Sequence, residues 1–161
     1  MSRLESAIRR LEAQRDCINW SAPGIAGKPG HILELGLGNG RTYDHLRETF
    51  PDREIFVFDR RIAAHPACVP DESHTFLGDI LETLPRALER LGRCAILAHS
   101  DIGTGDSARN RRLAAKIAPL LAPLMLSGGR ILSDQPLIVG AWTELALPKS
   151  VPPGRYHIYS T

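Results

Sequence analysis

The sequence predicts a single α/β domain: a doubly wound, mostly parallel sheet of seven strands, with an N-terminal helical cap and an antiparallel strand at its C-terminal edge. Three observations point there. Short apolar runs alternate with helical patterns from residue 31 onward, three glycines at alternate positions follow the first run, and the last two strand patterns lie too close together for a crossover. Strands alternating with helices imply right-handed crossovers and a parallel sheet covered on both faces. At 161 residues the chain can enclose one core and is too short for two. Residues 1–161 are therefore read as one domain, with 1–29 as its cap.

The elements follow in order. Leu4, Ala7, Ile8 and Leu11 fall at helical spacing and predict an amphipathic helix to about Cys17, where "NWSAPGIAGKPG" is expected to break it. Strand and helix patterns then succeed one another as "HILELG", "TYDHLRETF", "EIFVFD", a proline-punctuated piece, "HTFLGD", "LPRALERLG", "CAILAHSD" and "SARNRRLAAKIAPLLAPLML". In the last of these, Pro119 and Pro123 remove helical hydrogen bonds and predict a kink or an early end. Gly128 and Gly129 are expected to make the turn into the fifth strand, "GRILSDQPL". "WTELALP" and "RYHIYST" are separated only by "KSVPPG", so they should pair antiparallel at one edge.

Composition excludes several classes. An apolar fraction of 43% and a charged fraction of 24% are those of a soluble globular protein, and no apolar run approaches the roughly 18 residues of a membrane span. The N-terminal arginines are interleaved with Glu5 and Glu12 and no hydrophobic signal region follows, which leaves a cytoplasmic location as the expectation. Cys17, Cys68 and Cys94 are odd in number and widely spaced, so neither a disulfide framework nor a structural zinc site is indicated. A net charge of +2 and a pI near 8.6, with both signs mixed along the chain, give little support to a nucleic-acid partner. The basic "RNRR" at 109–112 reads as a solvated helix face.

The stretch "HILELGLGNGRTYDHL" carries the chemistry. Glycine after a strand lets backbone approach a ligand, and the helix that follows offers free amides at its N-terminus. Yet the spacing of Gly36, Gly38 and Gly40 is GxGxG, not the GxGxxG of a dinucleotide fold, and the carboxylate of Glu34 would repel a pyrophosphate. A ligand with a cationic end fits better. Asp59 ends "EIFVFD" nineteen positions beyond Gly40, where a carboxylate can accept both hydroxyls of a ribose; it reads also as a helix cap. Gly78 and Asp79 end the third run, offering a small residue beside an adenine and an acceptor for its amine, or else a cap before Leu81.

Together these residues resemble the class I S-adenosylmethionine-dependent methyltransferases over roughly residues 30 to 161, with "LSGGRIL" similar to the turn before that family's fifth strand. The resemblance implies a Rossmann-like methyltransferase fold and S-adenosyl-L-methionine as cofactor. It implies that Gly36, Gly38 and Gly40, with Leu37, Asn39 and Thr42 on the same loop, lie against the methionine part, that Asp59 and Arg60 lie at the ribose, and that Gly78, Asp79 and Ile80 lie at the adenine. His99 or Ser100, at the end of the fourth strand, would touch the methionine portion; His99 reads equally as a satisfied core imidazole.

For chemistry, Asp101 is the candidate base or acceptor-orienting group, with helix capping by Asp101 or Asp106 as the other reading. Asp134 and Gln135 end the fifth strand where catechol-type O-methyltransferases place an Asp-Asn metal site; the Asp-Gln here speaks against it, and no metal is assigned. "HSDIGTG" lacks the Asn/Asp-Pro-Pro-aromatic signature of base-amine methyltransferases. The expected activity is methylation of oxygen or nitrogen on a small-molecule acceptor. The rival readings are a non-catalytic cofactor-binding module, an aminopropyl transferase and an NAD-dependent oxidoreductase. Trp20 is a candidate core anchor or pocket cover, and Trp142 a core or oligomer contact. So small a catalytic domain often borrows a partner's surface, so a homo-oligomer is carried as an expectation.

Overall fold

In a computed structural model, which describes residues 1–161, the strands β1 (His31–Leu35), β2 (Ile55–Asp59), β3 (Thr75–Leu77), β4 (Ala95–Ser100), β5 (Met125–Ser133), β6 (Thr143–Leu145) and β7 (His157–Ser160) form one sheet in the order β3-β2-β1-β4-β5-β7-β6. The first five are parallel, and β7 runs antiparallel to both β5 and β6. The antiparallel pair expected at the edge is present, with β7 inserted between β5 and β6 and β6 outermost. Helices α1 (Arg3–Ile25), α2 (Arg41–Thr49), α3 (Ile80–Leu91) and α4 (Ser107–Leu121) cover the sheet. From β1 the order runs outward through β2 and β3 on one side and through β4 and β5 on the other. The crevice at the carboxyl ends of β1 and β4 is thus the switch point where such sheets bind ligands. No helix is long and apolar enough to cross a membrane.

Side chains alternate across the strands and divide the core in two. Leu33, Leu35, Phe56, Phe58 and Ala98 pack with Leu84 of α3 and Ile117 and Leu121 of α4. Ile32, Val57, Leu97 and Ile158 pack with Cys17, Ile18 and Ile25 of α1 and Leu46 of α2. Burial on both faces explains why the central strands read as unbroken apolar runs.

Two local expectations are corrected. Helix α1 opens with a capping box, Ser2 accepting from the Glu5 amide at 3.1 Å and Glu5 from the Ser2 amide at 3.0 Å, but it does not stop near Cys17. It continues through Pro23 to Ile25, because Cys17, Ile18, Ser21 and Ile25 extend one buried stripe at helical spacing. Burial of that stripe outweighs the hydrogen bond that proline removes. Second, Gly128 and Gly129 lie inside β5. The strand begins at Met125, and the pair absorbs a register shift opposite Ala95–Leu97 as a bulge, with Gly128 at φ +74°. The prolines of α4 act as expected: the helix ends at Leu121 and a 3₁₀ turn carries Pro123.

Glu34, His99 and Tyr156 face the α1/α2 side and form an almost fully buried chain. His99 Nδ1 lies 2.7 Å from Glu34 Oε2, its Nε2 lies 2.5 Å from the Tyr156 hydroxyl, and Thr42 donates to Glu34 Oε1. Burial works against a charged His99 ring, but the Glu34 carboxylate, by charge and hydrogen bond and aided by Asp101 and Asp134, holds the imidazole above its usual range. Burial first, then these same carboxylates, pushes the Tyr156 hydroxyl far up, so it stays a neutral phenol.

Two predictions follow from this packing. Arg53 donates to the carbonyls of Gly30 at 2.7 Å, Ile25 at 3.0 Å and Lys28 at 2.8 Å, tying α1 to β1. Arg53→Ala should lower unfolding stability by about 2 kcal/mol in urea titrations, the scale of losing charge-assisted bonds. For His99 a raised folded-state value means that its stabilisation is whole below about pH 6.5, the ordinary imidazole value, and fades as pH rises through the raised one. The stability gap between the wild type and His99→Gln should narrow between pH 6 and pH 9; a gap independent of pH would mean the ring is neutral throughout.

Candidate functional site

The loop between β1 and α2 is held by one carboxylate. Asp59 Oδ2 accepts from the amides of Leu37 at 2.9 Å and Gly38 at 3.2 Å, while Oδ1 accepts from the Arg61 amide at 3.3 Å. The Leu37 and Gly38 amides are therefore engaged by Asp59. Gly36 has φ +93°, and a Cβ there would lie 2.8 Å from Ile102 Cγ2 and 2.9 Å from the Asp101 carbonyl, so only glycine lets the loop meet the end of β4. At Gly40, the cap of α2, a Cβ would lie 2.5 Å from Cys68 Cβ. A Cβ at Gly38 would meet nothing within 4 Å, so the loop is open there. Leu37 is buried in the α1/α2 core, and Asn39 is exposed.

In front of this loop lies a cleft of about 310 Å³ bordered by Gly38, Asp59, Arg60, Gly78, Ile80 and Asp101. All six are residues the sequence singled out, and the fold brings them to one place. Asp79 does what the capping reading said: its Oδ1 accepts from the Leu81 amide at 2.9 Å, and Oδ2 pairs with Arg60 at 3.1 Å. Glu34 and His99 stand behind the loop rather than in the cleft, as members of the buried chain, and His99 follows the core-imidazole reading. Thr42 is tied to Glu34, and Ser100 is almost fully buried at the end of β4. In the basic run of α4, Arg109 borders the cleft, whereas Arg111 and Arg112 are exposed.

Asp101 is the junction. It borders this cleft, a second of about 490 Å³ and a third of about 220 Å³ beside the glycine loop. It caps no helix: Asp106 caps α4 through the Arg109 amide at 3.0 Å, while Asp101 Oδ2 is held by Arg10 at 3.0 Å and by Gln14, both from α1. Across the second cleft Asp134 accepts from Gln135 at 3.2 Å, and its other oxygen is buried without a donor. Burial first, then the charge of Asp101, raises the Asp134 carboxyl above its usual range. A side chain at Gly103 would overlap the Asp134 carboxylate. No group of three or more His, Cys, Asp or Glu residues is arranged to hold a metal ion.

The α1 residues Arg10 and Gln14 were missed by sequence reasoning, which took that helix only as a cap. Their four-residue spacing, which puts both on one face, was the available signal. Tyr156 was missed too, since its role depends on β7 sitting beside β5. Trp20 is 42% exposed and is not a core anchor, while Trp142 packs against the core beside Tyr159 with ring centroids 6.1 Å apart.

The residues at the switch point suit a phosphate-free, cationic adenosine ligand. Asp59 and Asp101 border the cleft together with Arg60 and Arg109, Phe58, Ile80, Ile102 and Leu113 give it apolar walls, and two of the loop amides are bonded to Asp59. The volume lies at the lower end of the range of ligand pockets.

Comparison with known proteins agrees. The family model described as S-adenosyl-L-methionine methyltransferase matches residues 1–161. A crystal structure of an S-adenosyl-L-methionine methyl transferase from Silicibacter pomeroyi DSS-3 is 44% identical, covers 99% of this chain and 98% of that chain, and superposes with a TM-score of 0.95. TrmN from Thermus thermophilus (13% identity, 88% of this chain and 47% of that chain, TM-score 0.53) and DesVI of Streptomyces venezuelae (13%, 92% and 66%, TM-score 0.51) share the fold alone. No curated protein matches the chain. The chain belongs to the S-adenosyl-L-methionine methyltransferase family and is an enzyme with S-adenosylmethionine as its methyl donor.

Proposed function

We propose that this methyltransferase acts on an oxygen or nitrogen of a small-molecule acceptor. The observation that carries the reading is the shared wall at Asp101: the donor cleft and a polar cleft of about 490 Å³, sized for a small molecule, meet at one carboxylate. When bound, S-adenosylmethionine supplies an electrophilic methyl carbon and a neutral thioether leaving group. The protein's part is alignment and exclusion of water.

On this reading Asp59 accepts the ribose hydroxyls with the oxygen sites its loop amides leave free. The turn of Gly78, Asp79 and Ile80 borders the adenine, with Arg60 and the Asp79 cap fixing its shape. Gly36, Gly38 and Gly40, with Leu37, Asn39 and Thr42, form the floor under the methionine part. Glu34, His99 and Ser100 hold the ends of β1 and β4 from behind that floor. Asp101, fixed by Arg10 and Gln14, orients the acceptor.

With methyl-labelled donor, the purified chain should pass label into the small-molecule fraction of a cell extract and not into its RNA or protein; label confined to either macromolecule would overturn the acceptor class. Asp59→Ala should weaken S-adenosylhomocysteine binding in calorimetry by roughly tenfold or more, the worth of one charged hydrogen bond. Unchanged affinity would remove Asp59 from the ribose.

A further inference from the structure

The second cleft holds unspent charge of both signs. Arg9, from α1, and Arg155, from the segment before β7, border it, and neither guanidinium has an ion pair or hydrogen bond within the chain. Arg10 differs, being committed to Asp101. Facing them is Asp134, one of whose oxygens is buried with no donor. A buried acceptor without a protein donor is costly unless a water or a ligand donates to it. Two free guanidiniums are the usual receptors for a carboxylate or phosphate, which they bind through paired N–H groups.

We infer that this cleft takes a polar acceptor bearing an anionic group, its carboxylate or phosphate gripped by Arg9 and Arg155 and its hydroxyl or amine donated to Asp134. The inference rests on the methyltransfer reading of the adjoining cleft and narrows its substrate class. An acceptor so held has its nucleophilic atom on the Asp101 side, where the two clefts join. In the transfer the acceptor's lone pair forms the bond to the methyl carbon and the carbon–sulfur bond breaks with its electrons left on sulfur. The acceptor's proton passes to the Asp134 carboxylate, whose raised proton affinity suits it to receive one. Asp101 is the less suited base because Arg10 and Gln14 already occupy it. Tyr156, bordering the same cleft and bonded to His99, fixes the wall beside Asp134.

The test is calorimetry on the full chain saturated with S-adenosylhomocysteine, with four probes: inorganic phosphate, glycerol 3-phosphate, glycerate and glycerol. The expected result is binding of glycerol 3-phosphate or glycerate and none of glycerol, the preferred arm showing whether phosphate or carboxylate is the anion. Arg9→Gln/Arg155→Gln should weaken the bound hydroxy anion at least tenfold with S-adenosylhomocysteine affinity unchanged, which also reports that the variant is folded. Asp134→Ala should bring the affinity of the hydroxy anion toward that of its anion alone, phosphate for glycerol 3-phosphate. Failure of both hydroxy anions to bind, or binding indifferent to the arginine pair, would overturn the inference while leaving the donor cleft intact. Failure of S-adenosylhomocysteine itself to bind would overturn the reading on which it rests.

Discussion

A carboxylate sealed from water near the end of β1 sets the conditions for everything around it. Buried there, the Glu34 carboxyl is satisfied by the Thr42 hydroxyl in the first turn of α2 and the His99 ring at the end of β4, and that ring is bonded in turn to the Tyr156 phenol before β7. Desolvating such a charge costs several kcal/mol, and breaking one partner leaves the rest exposed to that cost. The network therefore fixes the relative heights of the strand ends that form the switch point. A simple apolar core would hold these elements together but would not specify their register so narrowly.

Above that layer the strand ends are shaped by two further carboxylates. Asp59 gathers the glycine loop, and Asp101 gathers the N-terminal helix through Arg10 and Gln14. Each acid belongs to a strand end and binds a flanking segment, so the sheet dictates the shape of the loop and the seating of the helix. Gly36 completes the arrangement by letting the loop lie against the backbone at Asp101. The two clefts that meet at Asp101 are thereby bounded by some of the same groups, an arrangement suited to methyl transfer, a reaction dominated by alignment.

The alternation of apolar runs and helical periods made the sheet and its seven strands legible, because strands buried on both faces leave unbroken hydrophobic runs. The glycine loop, Asp59 and Gly78 were legible for a related reason: their spacing is set by local backbone geometry. The continuation of α1 past Pro23 was not, since it depends on the burial of Ile25 against the far side of the sheet. Nor was the bulge at Gly128, which answers a register mismatch with β4. The partners of Asp101 and Asp134 escaped for the same cause. Residues 10, 14, 101, 103, 134 and 156 converge only after the chain has closed, and no sequence window contains them together.

The way Asp59 is committed has a thermodynamic consequence. A carboxylate offers about four acceptor positions, and three backbone amides already occupy this one. If, as proposed, Asp59 takes the ribose hydroxyls, the sugar competes with the protein's own backbone for the remaining capacity, and occupancy of the cleft and the order of the glycine loop are then linked functions. By reciprocity, any change that loosens the loop alters ligand affinity by the same free energy with which the ligand reshapes the loop.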